Sequence, residues 1–314
     1  MNFGGCTGDA RRVPKAELPG CATGRGKGRD SELAEKKQIR LVAFDLDGTT
    51  LHGHAALSDR NRQAMEQAAA AGILMVPATG RVKNFIPPCL TALPFIRYAI
   101  TSNGGAVWDL HENKLVCGNR IPTETALRVQ RVFDDYKLYV EYYVNGRGVT
   151  RRGDPERAGT LYGLPEKMFY FLTKDYAFAD SLSGYLRETG AEPEKINMMF
   201  IPEQVRAEVL ARLREIDDIE ITYSNVDNIE INHKGCDKGT ALRALCGALG
   251  LDPAATMAVG DNGNDIGMLR AAGFAAVVGN GIDAAKKLAD AVVAPCAGDG
   301  FAEAVERFAL GRGA

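Results

Sequence analysis

Residues 41–50 read Leu-Val-Ala-Phe-Asp-Leu-Asp-Gly-Thr-Thr, an apolar run that ends in two carboxylates and a glycine turn. Four consecutive apolar residues predict a strand buried on both faces, as in a parallel sheet covered by helices. Side chains alternate along a strand, so Asp45 and Asp47 are expected on the same side, roughly 7 Å apart along the chain. In an open α/β sheet, ligands sit at the C-terminal strand ends. Two acids placed there repel each other and lose solvation, and a hard cation with oxygen ligands, Mg²⁺ above all, relieves that cost. A bare Asp-x-Asp is more often a polar turn than a metal site. Three other places in the chain reverse those odds.

Asp261 follows a second buried apolar strand, and Asp265 lies four residues on at the start of a helix. A helix N-cap accounts for part of Asn264-Asp265. It does not account for an acid placed directly on the strand terminus. Asp45, Asp47 and Asp261 together would supply a Mg²⁺ site with positions left for water and phosphate. Thr79-Gly80 closes another apolar strand, where the hydroxyl and the Gly80 N–H would both donate to a phosphate oxygen. Lys238 falls in the first turn of a helix, where the dipole already disfavours a cation. A bound anion removes that conflict. A solvated surface lysine is the competing reading, and Lys234 the competing residue. Gly239 would permit close backbone approach.

These residue types fit phosphoryl transfer. Mg²⁺ and a lysine cancel the repulsion between an anionic ester and an anionic nucleophile. A carboxylate can then attack phosphorus. A second acid protonates the leaving alcohol and later takes a proton from water. Asp45, at the strand end, is the better nucleophile. Asp47, on the turn, suits the acid/base role.

Composition narrows the remainder. With 314 residues the chain has room for two domains. A formal net charge of −2 offers no basic field for nucleic acid or an anionic membrane. No apolar run reaches membrane-spanning length. The seven cysteines are scattered without a Cys-x-x-Cys, which disfavours a zinc site or disulfide framework and fits a reducing cytoplasm. Residues 1–38 are glycine-rich and basic, without a signal-peptide core, and are expected to be a disordered tail.

From Ile39 strands and helices alternate. Helices are expected at Asp59–Ala71 (capped by Ser58, ended at Gly72), Thr123–Tyr136, Glu203–Ile216, Asp237–Leu249, Ile266–Ala272, Ala284–Leu288 and Phe301–Leu310. Strands are expected at Ile73–Ala78 (ended or bulged by Pro77), Tyr98–Thr101, Leu138–Val144, Ile196–Ile201, Ile219–Tyr223, Thr256–Val259, Phe274–Val278 and Ala291–Ala294. Hairpins are expected through His111-Glu112-Asn113 and Asn145-Gly146. The simplest architecture is an α/β, doubly wound Rossmann-like core at 39–120 and 228–314, with an α+β domain inserted at 121–227.

Four ordered motifs carry a family resemblance: Asp45-Leu-Asp-Gly-Thr-Thr, Ala78-Thr-Gly-Arg, Lys238-Gly, and Gly260-Asp-Asn-Gly-Asn-Asp-Ile-Gly-Met-Leu. Ser102-Asn-Gly-Gly, Val278-Gly-Asn and Gly298-Asp-Gly support them. Over about 39–310 the chain resembles the haloacid dehalogenase (HAD) superfamily, and within it the Cof-like phosphatases with a type-C2 cap. The resemblance implies Asp45 as nucleophile and Asp47 as general acid/base. It implies Mg²⁺ held by the Asp45 carboxylate, the Asp47 backbone carbonyl and Asp261. Thr79 and Lys238 match its phosphate-binding positions, and Asn264 and Asp265 its supporting positions. The inserted segment corresponds to the cap that selects the leaving group. Cys236 departs from the pattern, where small hydroxyl residues are common, and an inert packed thiol is expected. His52 and His54 are expected to be exposed loop residues, and Tyr136, Tyr139, Tyr142 and Tyr143 packing residues.

The expected activity is Mg²⁺-dependent hydrolysis of a small phosphorylated metabolite, a sugar phosphate or nucleotide-like cofactor. The alternatives are a phosphotransferase or mutase of the same fold, and a phospho-ligand binding protein without turnover. The Asp45/Asp47 pair disfavours the last, because a binder has no use for an acid/base on that turn.

Overall fold

The computed structural model describes residues 38–53, 55–136, 138–157, 176–223 and 228–312. Residues 1–37 of the tail expected over 1–38, and His54, lie outside them. Five parallel strands form the central sheet, in the order Ala291–Val293, Phe274–Val278, Thr256–Gly260, Leu41–Phe44, Leu74–Pro77. Alternate residues feed two helical layers, which is why these strands read as unbroken apolar runs. Val42, Phe44, Met257 and Val259 pack with Met65 of helix Asp59–Ala70 and with Phe301. Leu41, Ala43 and Ala258 pack with Leu242 and Leu245 of helix Lys238–Leu249.

Local signals set the element ends. The Ser58 side chain accepts from Asn61 N, and Gly72 adopts φ +80° beyond the helix it ends. The strand Leu74–Pro77 stops at Pro77, which stands beside Phe44. Asp237 caps helix Lys238–Leu249 in a capping box with Thr240. Gly239 does serve close approach, to backbone rather than ligand. A Cβ there would lie 2.1 Å from Gly267 O, at the helix Ile266–Ala271.

Strands Tyr98–Thr101, Ala106–Asp109 and Lys114–Cys117 form a small antiparallel sheet. A six-stranded sheet follows, in the order Ala177–Ala179, Arg147–Arg151, Glu141–Val144, Lys195–Met198, Ile229–His233, Ile219–Thr222. Its last-entered strand, Ile229–His233, was not expected and carries this sheet past the anticipated boundary at 227. Glu230 and Asn232 interrupt its apolar residues, so the sequence shows no hydrophobic run there.

The two faces of this sheet differ in chemistry. Tyr142, Ile196, Met198, Ile229 and Ile231 pack under the helices Thr123–Asp134, Leu182–Thr189 and Glu203–Leu213. The register puts Glu141, Tyr143, Lys195, Asn197 and Glu230 on the opposite face, and all five are buried. The expected tyrosine cluster is thereby divided. Tyr142 donates to Gln130 on the helical side, whereas Tyr139 packs with Tyr176 and Phe85.

The closing helix is α-helical over Gly300–Ala304 and widens to a π turn over Val305–Ala309. Among the described residues no helix is long and apolar enough to cross a membrane.

Candidate active site

The strand order brings three of the expected strand ends together. Leu41–Phe44 lies between Thr256–Gly260 and Leu74–Pro77, so Asp45, Asp261 and Thr79 leave adjacent strands at the same edge. Asp45 N donates to Val259 O, and Ala78 N donates to Phe44 O, which fixes the three ends in register. Asp45, Asp261 and Asp265 each present a carboxylate oxygen, all within 4.8 Å of one another.

Lys238 is fully buried and donates to Asp45 Oδ1 at 2.5 Å and to Asp265 Oδ1 at 2.7 Å. This disposes of the solvated-lysine reading; Lys234 is the exposed one. The other oxygen of Asp265 accepts from the Asp261 and Asn262 N–H groups, both at 2.9 Å. Asp265 is thus a brace, saturated by donors. Asp261 Oδ1 accepts from Thr49 Oγ1 at 2.6 Å. No donor among the described residues reaches Asp45 Oδ2 or Asp261 Oδ2, and these two oxygens are open to a cation.

The electrostatics favour one. Burial pushes the Asp45 carboxyl well above the usual range; Lys238 pulls it down, and Asp265 and Asp261 add to the rise. Burial also raises Asp261. Burial pulls the Lys238 ammonium toward the neutral form, but Asp265 and Asp45 outweigh it and hold it charged. One ammonium faces three carboxylates. An oxygen-seeking divalent cation is the charge that this donor set fits. Gly48, at φ +86°, is required beside it, since a Cβ there would sit 2.8 Å from Asp261 Oδ2.

The Asp47 carboxylate does not join this cluster. The strand ends at Phe44, so strand alternation does not extend to Asp47. Arg81 takes both its oxygens, Nε to Oδ2 at 2.8 Å and Nη2 to Oδ1 at 2.5 Å. The resemblance implied the backbone carbonyl of Asp47, not this carboxylate, as a metal ligand. Arg81 was visible in Thr79-Gly80-Arg81, but nothing in the sequence pointed it at Asp47.

Thr79 is buried, and its hydroxyl oxygen accepts from Arg81 N at 3.1 Å. Gly80 O accepts from Lys195 Nζ at 2.6 Å. Asn264 stands outside the carboxylate cluster; its Nδ2 donates to Asn103 Oδ1 at 3.3 Å. Asn103 belongs to a tight turn in which Ser102, Asn103 and Gly104 have φ of +55°, +58° and +103°. Left-handed backbone at non-glycine residues is costly and clusters at functional sites. Here other contacts hold it: Ser102 Oγ donates to Glu194 Oε2 at 2.9 Å, and Asn103 Nδ2 donates to Glu230 Oε2 at 2.6 Å.

Two expectations resolve away from the carboxylates. His52 is partly buried rather than exposed, with Nε2 2.8 Å from Cys296 O and 3.4 Å from Asp299 Oδ1. Burial pushes the buried Cys236 thiol up to about 12, which makes it the inert packed group expected. Lys195 and Glu230 were missed because each sits in an alternating stretch that reads as solvent-facing; Asn103 was seen within Ser102-Asn-Gly-Gly, but without a role.

Comparison with known proteins agrees with this geometry. The haloacid dehalogenase-like hydrolase family model matches residues 42–305. A 5-amino-6-(5-phospho-D-ribitylamino)uracil phosphatase of Bacillus subtilis (strain 168) is 30% identical over 280 residues, covering 88% of this chain and 98% of the relative. A pyridoxal phosphate phosphatase of Escherichia coli (strain K12) is 26% identical over 275 residues, covering 86% and 97%. A haloacid dehalogenase-like hydrolase from Bacteroides thetaiotaomicron superposes with a TM-score of 0.72 at 25% identity, covering 86% of this chain and 99% of that one. A doubly wound parallel sheet, its acids at the strand ends and a family match over most of its length place this chain in the haloacid dehalogenase-like hydrolases, as a Cof-like phosphoric monoester hydrolase.

Proposed function

We propose that the protein is a Mg²⁺-dependent phosphatase that releases orthophosphate from a small phosphorylated metabolite through an aspartyl-phosphate on Asp45. One observation carries the reading. Asp45 Oδ1 is tied to Lys238, no donor among the described residues reaches Oδ2, and the carboxylate lies within 4.8 Å of Asp261. A nucleophilic carboxylate here needs one oxygen for the cation and one for phosphorus, and the Lys238 contact fixes its orientation for that division.

The divalent ion, held by Asp45, the Asp47 carbonyl and Asp261, would supply charge neutralisation at the phosphoryl oxygens. Lys238, Thr79 Oγ1 and the Gly80 N–H bind and orient those oxygens. Asp45 attacks phosphorus, the ester oxygen departs, and Asp47 gives it a proton. Water then attacks the phosphoryl group while Asp47 takes its proton, which frees orthophosphate and restores Asp45. Asp265 and Asn264 support the geometry, Asp265 by bracing Lys238 and the 261–262 backbone.

The cap would comprise the segment from about residue 121 through the strand ending at His233, set over the strand ends by its polar face. The substrates named for the relatives, a ribitylaminouracil phosphate and pyridoxal phosphate, are compact monoesters of nitrogen heterocycles. A small ester of that size suits a site covered by a cap. The test is release of orthophosphate from an aryl phosphate and from a panel of metabolite monoesters, with and without Mg²⁺. Metal-dependent release is expected. A purified, folded protein that releases none, or one equally active in chelator, refutes the reading.

A further inference from the structure

A lysine on the inserted sheet reaches the turn that the mechanism assigns to phosphate. Lys195 is buried in the strand Lys195–Met198, and its Nζ donates to Gly80 O at 2.6 Å, across 115 positions of sequence. The carbonyl of Gly80 and the N–H of Arg81 belong to one planar peptide and point in opposite directions. The Arg81 N–H, so aimed, donates to Thr79 Oγ1 at 3.1 Å. The Thr79 oxygen is thereby occupied as an acceptor, and its own hydrogen has no acceptor among the described residues. That hydrogen is left for a phosphoryl oxygen.

The far side of the turn is held by the same ion pair. Glu230 Oε1 lies 3.0 Å from Lys195 Nζ, and Glu230 Oε2 accepts from Asn103 Nδ2 at 2.6 Å. Asn103 N in turn donates to Thr79 O at 3.1 Å. Thr79 is gripped through its hydroxyl and its carbonyl, and both grips trace back to Lys195 and Glu230. Stability alone gives little reason for this pair, since apolar residues of similar volume commonly replace a buried ion pair without loss. Hydrogen bonds linked in series polarise one another, so the ammonium also strengthens the donors further along.

We infer that Lys195 is a positioning residue for phosphate binding, which sets the Gly80–Arg81 peptide and through it the direction in which the Thr79 hydroxyl donates. The inference rests on the phosphatase reading for the role of Thr79. It adds that the inserted sheet shapes the phosphate subsite as well as covering it. Neither Lys195 nor Glu230 need touch the substrate.

A double-mutant cycle on the full chain with Mg²⁺ tests it, using Thr79→Val and Lys195→Met. The readouts are kcat/KM for para-nitrophenyl phosphate and the inhibition constant of orthophosphate. Each single substitution is expected to weaken orthophosphate and lower kcat/KM about ten- to a hundredfold, the range of one charge-assisted hydrogen bond. The double variant should lose no more than the worse single variant, because both act on one contact. Losses that multiply in the double variant overturn the inference. So does an unchanged orthophosphate constant in folded Lys195→Met. Should Lys195→Met fail to fold, Lys195→Arg takes its place; it preserves the charge beside Glu230, and its wider head displaces the Gly80 carbonyl. A several-fold weaker orthophosphate constant at unchanged melting temperature is expected, and an unchanged constant overturns the inference. Wild-type protein without turnover refutes the phosphatase reading instead, and orthophosphate-induced shifts in melting temperature across the same variants then report on the turn alone.

Discussion

Arg81 grips Asp47 as a fork, with Nε 2.8 Å from Oδ2 and Nη2 2.5 Å from Oδ1. Its remaining nitrogen Nη1 donates to Phe85 O at 3.1 Å, so the guanidinium is itself oriented. The pair fixes the proposed acid/base and engages both its oxygens, apart from the Asp45–Asp261–Asp265 cluster. A planar fork does this where a point charge does not.

Arg81→Lys should therefore lower kcat about tenfold, and Arg81→Ala by about a hundredfold, as expected when a catalytic group is displaced by about an ångström. Both residues of the pair are partly exposed, so the stability cost should stay below about 1 kcal/mol. Steady-state kinetics beside thermal melts check both. A loss of folding that matches the loss of rate would reduce Arg81 to a structural role.

Metal dependence should be visible in stability as well as rate. Mg²⁺ bound only by the folded state raises its melting temperature with concentration. Asp261→Asn removes one of the two open carboxylate oxygens, so the Mg²⁺ needed for half-maximal activity should rise at least about tenfold. The thermal shift at low millimolar Mg²⁺ should shrink with it. An Asp261→Asn protein that keeps the wild-type Mg²⁺ response would place the cation elsewhere.

Glu141 gives a pH signature in the inserted sheet. It is buried, and burial raises its carboxyl above the ordinary value despite the hydrogen bond from Asn197 at 2.8 Å. A group whose folded pKa is raised contributes its stability below the unfolded value, here 4.5, and loses it as pH climbs through the folded pKa. Glu141→Gln carries no such charge. Its melting temperature relative to wild type should rise steadily from acid to neutral pH. A difference that does not vary with pH would mean Glu141 is ionised at no cost.

Gly239 is a packing position with a catalytic consequence. A methyl group there meets Gly267 O at 2.1 Å, backbone against backbone, with no flexible side chain to yield. Gly239→Ala should destabilise the protein by about 1–3 kcal/mol. It should also lower activity by shifting the helix whose first residue is Lys238. Denaturant unfolding measures the first effect, and kcat of the folded fraction the second.

How much of this was written in the sequence depends on whether a residue contradicts its surroundings. Asp45 and Asp261 end apolar strands, and Lys238 opens a helix with the wrong charge, so each announced a ligand. Thr79 announced itself only by its place on a neighbouring strand. Lys195, Glu141 and Glu230 gave no such signal. They alternate with apolar residues, as on any half-exposed sheet, and only the tertiary fold turns their face inward. The strand Ile229–His233 was hidden for the same reason. Asn103 was part of a recognisable motif, but its left-handed backbone and its two amide contacts depend on partners far away in the chain.

The central claim is that Asp45 carries the phosphoryl group. Rapid acid quench during turnover with Mg²⁺ and an aryl phosphate, followed by peptide mass analysis, tests it directly. The account predicts one added phosphoryl group, on the peptide containing Asp45, and a fall in kcat of at least about 10³-fold in Asp45→Asn. Wild-type rates in Asp45→Asn, with no phosphorylated peptide in the active enzyme, would contradict it.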